Sequence, residues 1–369
     1  MRICFLATEV FGLGIIGGFG KIVKDLLDEL TKRGLETCVA TWRYEGQKRI
    51  MVIDNRTPIY GASKPSDSLP FFTNLPSILE LASLSHICDA DVYISIELKD
   101  LAFIAQWATG HKKHVIWFQD PYDEKAYKTM ALVDPRFKWS LSRKIHFYST
   151  ISWLRTACQK ADLLLTSAMD FVPVINRLYK PKNTIHHMPN PVAIPDRCIK
   201  KASEPTVCFL GRWDPQKRVE MFFELAQKFP DTKFIAMGKS NYPKLDLELR
   251  KRQKKLENLE MPGFVSEDEK SQILEKSWVL INTSIREGLP LNFLEACAHK
   301  TAILSYVNPD QFASRFGYWV QHGNFELGLT ELLKNDSWRE KAELGYNYVR
   351  RVHNVDSVTD KLLNLLTQM

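Results

Sequence analysis

The 369-residue sequence predicts an α/β protein built from two Rossmann-like parallel-sheet domains. Three observations predict it. Short β-rich runs alternate with segments of helical period, the alternation breaks at a proline-rich tract and restarts, and a glycine-rich turn follows the first run. A chain of this length also exceeds what one compact core holds, so two domains are expected.

In the first half RICFLA, ETCVATW, DVYISI, HVIWF and DLLLTS read as strands. KIVKDLLDELTKRG and the segment from Ser77 to Ser85 read as helices. Gly34 closes the first helix just after Lys32 and Arg33, cations suited to its negative end. Alternation of this kind implies a parallel sheet with helices on both faces. From Met188 the text becomes MPNPVAIPD and then CIKKASEP, prolines and charges without period, which marks a linker. TVCFLG, KFIAMG, WVLINTS and AILSY then read as strands. VEMFFELAQKF, the charged run LELRKRQKKLENLE and the stretch from Pro290 to Ala298 read as helices. The expected domains are 1–195 and 196–354, with the last stretch, 355–369, packing back on the first. Two such sheets direct ligands to a cleft at their carboxyl ends.

Composition narrows the class. Hydrophobic content of 45% and charged content of 25% are those of a soluble globular protein. No secretory signal opens the chain, and no apolar run reaches the ~20 residues of a membrane span, so a cytoplasmic protein is expected. Seven dispersed cysteines without a C-x-x-C pair read as buried thiols. The net charge of +7 points to an anionic partner. Nucleic acid is excluded, because no helix-turn-helix, zinc-finger or RNA-binding signature is present. Nucleoside diphosphates and anionic lipid surfaces remain.

Gly12, Gly14 and Gly17 spell the dinucleotide fingerprint G-x-G-x-x-G. Its surroundings do not fit one. Four residues separate strand and glycines, and the second strand ends Ala40-Thr41-Trp42-Arg43, without the acid that would hold a ribose. Arg43 leaves an NADP-dependent oxidoreductase open. The physical content that survives is a close backbone approach and a helix whose positive end faces a phosphate or sugar.

The second half is more legible. Gly211, Arg212 and Lys217 follow a strand and precede a helix, so two cations stand at a strand's carboxyl end. A guanidinium forks onto phosphate oxygens and an ammonium adds a point charge. Downstream, Glu287 precedes Gly288 and Leu289, whose amides open the next helix, and Glu295 lies about two turns inside it. A carboxylate among Leu294, Ala296, Cys297 and Ala298 is costly unless something donates to it, and sugar hydroxyls are such donors.

The E-x7-E spacing of Glu287 and Glu295 and the G-R-x4-K element of Gly211, Arg212 and Lys217 stand beside Gly17-Gly18, PNPVAIP and PGFVSEDEK. Together these motifs make nearly the whole chain resemble the retaining glycosyltransferases of family 4, which have the GT-B fold. The resemblance implies a metal-independent hexosyltransferase without a cofactor. Its donor is a nucleoside diphosphate-sugar of unspecified base, and its acceptor is a glycan, a lipid-linked molecule or a small molecule. Arg212 and Lys217 would neutralise the leaving diphosphate, Glu287 would bind the transferred sugar and Glu295 the ribose diol. Gly288 and Leu289 would touch the distal phosphate, Gly263, Phe264 and Val265 would flank the base, and Gly17 and Gly18 would face phosphates or acceptor. Retention without a placed nucleophile implies front-face attack, the leaving phosphate taking the acceptor's proton.

Two departures from the family pattern stand out. Ile15 occupies the place of the lysine that starch and glycogen synthases carry, against a glucan synthase. Gln119 and Asp120 stand where many members have a histidine, so one of them would play that part. Asp120 precedes Pro121 and is equally a turn residue. Asp89-Ala90-Asp91 imitates a metal-binding D-x-D but reads as a loop before a strand, and His186-His187 has no third ligand, so no metal is assigned. Between Lys125 and Lys182 basic residues outnumber acids roughly three to one, interleaved with aromatics, which suits either a peripheral membrane contact or an ordinary solvated surface. A nucleotide-sugar epimerase of the same fold is the nearest enzymatic rival.

Overall fold

The computed structural model describes residues 1–10, 17–43, 46–53, 56–64, 75–97, 99–253 and 256–369. Gly12, Gly14 and Ile15 lie outside them; Gly17 and Gly18 lie within.

The chain forms two compact units. The first contains β1 (Arg2–Leu6), α1 (Gly18–Lys32), β2 (Glu36–Arg43), β3 (Ile50–Ile53), β4 (Thr57–Ser63), α2 (Leu75–Cys88), β5 (Val92–Ile96), α3 (Asp100–Ala108) and β6 (Lys113–Phe118). After α4 (Glu124–Ala131) it continues with α5 (Leu141–Lys160), β7 (Leu163–Thr166), α6 (Val172–Tyr179) and β8 (Ile185–His187). The strands form one sheet of order β3-β4-β2-β1-β5-β6-β7-β8, parallel throughout except for the β3–β4 pair. Ile3, Cys4, Phe5 and Leu6 are buried, as expected of a strand covered on both faces.

The second unit contains β9 (Thr206–Leu210), α7 (Val219–Lys228), β10 (Lys233–Met237), α8 (Pro243–Gln253), β11 (Leu259–Gly263), α9 (Glu267–Lys276), β12 (Val279–Asn282) and α10 (Leu291–Ala298). β13 (Ala302–Ser305), α11 (Phe312–Arg315), β14 (Gly317–Trp319), α12 (Phe325–Leu333) and α13 (Ser337–Val352) complete it. Its sheet, β11-β10-β9-β12-β13-β14, is all parallel, so every carboxyl end lies along one edge. Phe209, Phe222, Phe223, Phe234 and the stacked pair Trp278–Trp338 fill one side of the sheet.

The last helix, α14 (Val355–Thr367), returns to the first unit. There Arg33 of α1 pairs with Asp356 and Asp360 across the two helices and with Glu29 on its own.

The structure departs from the sequence reading in several places, the short strands β8, β11 and β14 among them. Residues 124–139 cluster with the second unit rather than with 1–195, anchored by the Arg136 guanidinium 4.5 Å over the Tyr242 ring, and the boundary falls between Pro191 and Val192. β3 and β4 lie outside the expected strands, because the IMVI run of β3 is only four residues long and β4 is interrupted by Pro58 and Gly61; β3 is an edge strand, with Ile50 and Val52 half exposed. The charged helix ends by Gln253 instead of running to Glu260, because Leu259 and Glu260 pair with β10 as a strand. Cys198 is exposed, whereas the other six cysteines are buried thiols. Among the described residues no helix is long and apolar enough to cross a membrane.

Candidate functional site

In the second unit the carboxyl ends of β9, β10 and β11 are drawn together through glycines. The Gly211 amide donates to Met237, and the Gly238 amide donates to Gly263 at 2.7 Å. A Cβ on Gly238 would stand 1.9 Å from the Gly211 carbonyl oxygen, and its φ of +122° also demands glycine. This backbone contact makes a floor without side chains, and the residues that follow each strand rise around it.

Lys217 and Glu287 meet on that edge. Lys217 lies in the turn after β9 and its ammonium donates to the Glu287 carboxylate, from the loop after β12. The side chains are 15% and 13% exposed. The two loops are fastened at the backbone as well. The Thr283 hydroxyl donates to the carbonyls of Lys217 (2.5 Å) and Arg218 (3.0 Å), and the Ile285 amide donates to Gln216. Arg212 keeps an exposed guanidinium, its Nε 3.5 Å from Asp214.

Glu295 is buried in α10, where the sequence predicts sugar hydroxyls as its donors. The structure supplies one from the protein. Lys270 of α9 reaches Glu295 at 2.6 Å and Glu267 at 2.7 Å, with 11% and 9% exposure for Lys270 and Glu295. A carboxylate has about four lone-pair sites, so this contact leaves room for a ligand hydroxyl. Gly288 and Leu289 lie just before Pro290, the residue that caps α10. Asn292 in the first turn donates to the Leu210 carbonyl at 2.7 Å, tying the start of α10 to the end of β9. His299, held below its ordinary value by burial, closes the helix through the Glu295 carbonyl and Ser271.

Gly263 ends β11 at φ +87°, after which Phe264 stands 58% exposed. Val265 is half-buried, and Ser266 begins α9 with a reciprocal capping box to Glu269.

Arg218 was not singled out in the sequence. It sits at φ +48°, unusual for a residue with a Cβ, and donates from Nε to the Thr283 carbonyl at 2.7 Å. Its guanidinium lies 4.7 Å over the Tyr306 ring, and burial pushes its pKa down. Its Nη2 is buried with no partner among the described residues. Such a backbone persists only where surrounding contacts hold it, as the bond to Thr283 does here.

The remaining candidates belong to the first unit. Gly17 caps α1, and a Cβ there would land 1.9 Å from the Glu9 carboxylate. The Asp120 amide donates at 2.9 Å to Glu97, another non-glycine residue at positive φ (+82°), at the end of β5. Neighbouring Gln119 is buried, its Nε2 without a partner among the described residues. Glu97 carried no sequence signal. Asp89 pairs with Lys112 at 2.9 Å and Asp91 accepts the Arg2 amide at 2.8 Å, so both carboxylates of the D-x-D lookalike have protein partners.

Residues 194–348 match the family model described as Glycosyl transferases group 1. The fold is GT-B. Among solved GT-B structures, sucrose-phosphate synthase from Thermosynechococcus elongatus is 14% identical, with 100% of this chain and 98% of that one covered at a TM-score of 0.76. HepE of Anabaena, in complex with UDP and glucose, is 13% identical, with both chains fully covered at a TM-score of 0.72. A variant of Staphylococcus aureus TarM in complex with Fondaparinux, α-GlcNAc-glycerol and UDP is 13% identical, with 99% of each chain covered at 0.71. No curated protein matches the sequence.

Two predictions follow from the charges and the backbone of this GT-B site. Lys270→Ala leaves Glu295 buried without its cation and is expected to cost about 3 kcal/mol in urea unfolding. The double variant with Glu295→Ala recovers part of that loss; additive losses would mean the pair is uncoupled. Arg218→Gly and Arg218→Ala both lose the tie to Thr283, but glycine tolerates the turn's φ. The alanine variant is therefore expected to be less stable by about 1 kcal/mol. Equal stabilities would deny any strain at Arg218.

Proposed function

We propose that the chain is a retaining, metal-independent hexosyltransferase that moves a sugar from a nucleoside diphosphate-sugar to a glycan, lipid-linked or small-molecule acceptor. The observation that carries this reading is the contact of Lys217 with Glu287, between the loops after β9 and β12. An ammonium there meets the diphosphate as it leaves, and the carboxylate accepts hydrogen bonds from the sugar being transferred. One pair thereby orients both sides of the bond that breaks. Arg212, exposed in the turn after β9, adds a second cation for the phosphates, each such charge-assisted bond contributing about 1.5–3 kcal/mol.

In this reading Glu295, steadied by Lys270, takes the ribose diol, and the amides of Gly288 and Leu289 take the distal phosphate at the opening of α10. Phe264 and Val265 flank the base beyond Gly211 and the glycine floor. Catalysis rests on fixed positive charge at the diphosphate, where negative charge develops, and the leaving phosphate oxygen takes the acceptor's proton. Solved structures of the same fold that hold UDP, with glucose in one and α-GlcNAc-glycerol in another, support a sugar-nucleotide donor.

A panel of UDP-, GDP-, ADP- and TDP-sugars in thermal unfolding tests the reading. At 100 times its dissociation constant the right donor adds about 2.7 kcal/mol of stability. That shift is expected to vanish in Lys217→Ala and Arg212→Ala. No shift with any donor, or epimerisation of free donor without an acceptor, would sink it.

An acceptor held at an anionic membrane has its own support. On α5 the residues Leu141, Lys144, Ile145 and Tyr148 fall at helical spacing on one stripe, and all are exposed, Leu141 at 74%. Apolar side chains beside cations suit a headgroup layer. Residues 125–139 of the basic stretch belong to the other unit, so this stripe is the narrower claim. Cosedimentation with phosphatidylserine vesicles is expected, falling away in Leu141→Asp/Ile145→Asp; binding unchanged by those substitutions would remove the membrane from the proposal.

A further inference from the structure

Three cysteines that are far apart in sequence converge inside the first unit. Cys4 lies on β1 and Cys38 on β2, where they are direct register partners on adjacent parallel strands, so both side chains project to one face. Cys88 is the last residue of α2, whose Ile78, Leu81 and Leu84 pack in the same apolar cluster as the two strands. Its Sγ lies 3.7 Å from the Sγ of Cys4 and 3.7 Å from that of Cys38. All three sulfurs lie within 4.8 Å of one another, and all three residues are fully buried. Among the described residues this is the one group of three or more metal-ligating side chains that converges in this way.

We propose that Cys4, Cys38 and Cys88 form a three-thiolate site for a divalent thiophilic cation of the Zn²⁺ or Cd²⁺ class, binding β1, β2 and α2 together. The spacing fits. A metal–sulfur distance of about 2.3 Å requires sulfurs about 3.8 Å apart at two corners of a tetrahedron and about 4.0 Å apart in a trigonal plane. The two separations of 3.7 Å need movements of a few tenths of an ångström, and the third, under 4.8 Å, closes by at most about 1 Å, within side-chain reach.

The charge fits as well. Three thiolates and a divalent ion sum to −1, which is costly in an apolar cluster. Arg2, two residues before Cys4, lies against Cys38 and 3.4 Å from the Tyr60 hydroxyl, so its guanidinium brings the sum to zero. A monovalent ion would leave a net negative charge. Binding displaces the three thiol protons.

The test uses the full chain, reduced, with the exposed Cys198 replaced by serine. Titration with Cd²⁺ is expected to give one equivalent bound, with an ultraviolet thiolate-to-metal charge-transfer band of three-thiolate intensity that Zn²⁺ competes away. The band is expected to disappear in Cys88→Ala and in Cys38→Ala and to persist in Cys158→Ala, a buried thiol outside the cluster. Should the cluster variants fail to fold, Cd²⁺ is still expected to raise the melting temperature of the parent and to protect three thiols from alkylation. Absence of the band in the parent, a band that survives Cys88→Ala, or a disulfide within the trio in reduced protein would overturn the proposal. Donor binding in the second unit is untouched by either result.

Discussion

The second unit depends on two lysine–glutamate contacts. Lys217 with Glu287 and Lys270 with Glu295 each bring a cation from one loop or helix to a carboxylate on another, and all four side chains are largely buried. Each charge is tolerable there only because its partner is present. The pairs fix the loops after β9 and β12 and the start of α9 against α10. In the proposed reaction, a site arranged in advance would not have to reorganise when charge develops.

Those pairs can form only because the strands beneath them end flush. The Gly238 backbone rests against the Gly211 carbonyl, and any side chain at Gly238 would separate β9 from β10. The turn that carries Lys217 then needs a residue at positive φ, and Arg218 fills that place, bound to Thr283 and laid over Tyr306. Backbone closeness, one strained turn and two charge pairs form a single mechanical chain from sheet to site.

Much of this was legible in advance, and the reasons are local. Buried parallel strands declare themselves as continuous apolar runs, and helix starts as proline, glycine and acid, so β9, β10, β12 and β13 of the second sheet and the helix after Pro290 were legible, whereas the short β11 and β14 were not. The E-x7-E spacing of Glu287 and Glu295 is local too, because loop and helix geometry alone set it. β3 and β4 escaped, since the first is only four residues long at the sheet edge and the second, though buried, is interrupted by Pro58 and Gly61. The end of the charged helix escaped because pairing with β10, not propensity, makes Leu259 and Glu260 a strand.

The sequence by itself determined the fold class, the two repeats of strand and helix, and which cations and acids stand at strand ends, because all of these follow from periodicity and turn chemistry within a few residues. Only the tertiary structure decided that Lys270 rather than a ligand alone answers Glu295, that Arg218 clamps the turn, that Glu97 receives the Asp120 amide, and that Cys4, Cys38 and Cys88 share one place. Each of these joins residues from separate elements, and such pairings are fixed by sheet register and helix packing, which no local pattern encodes.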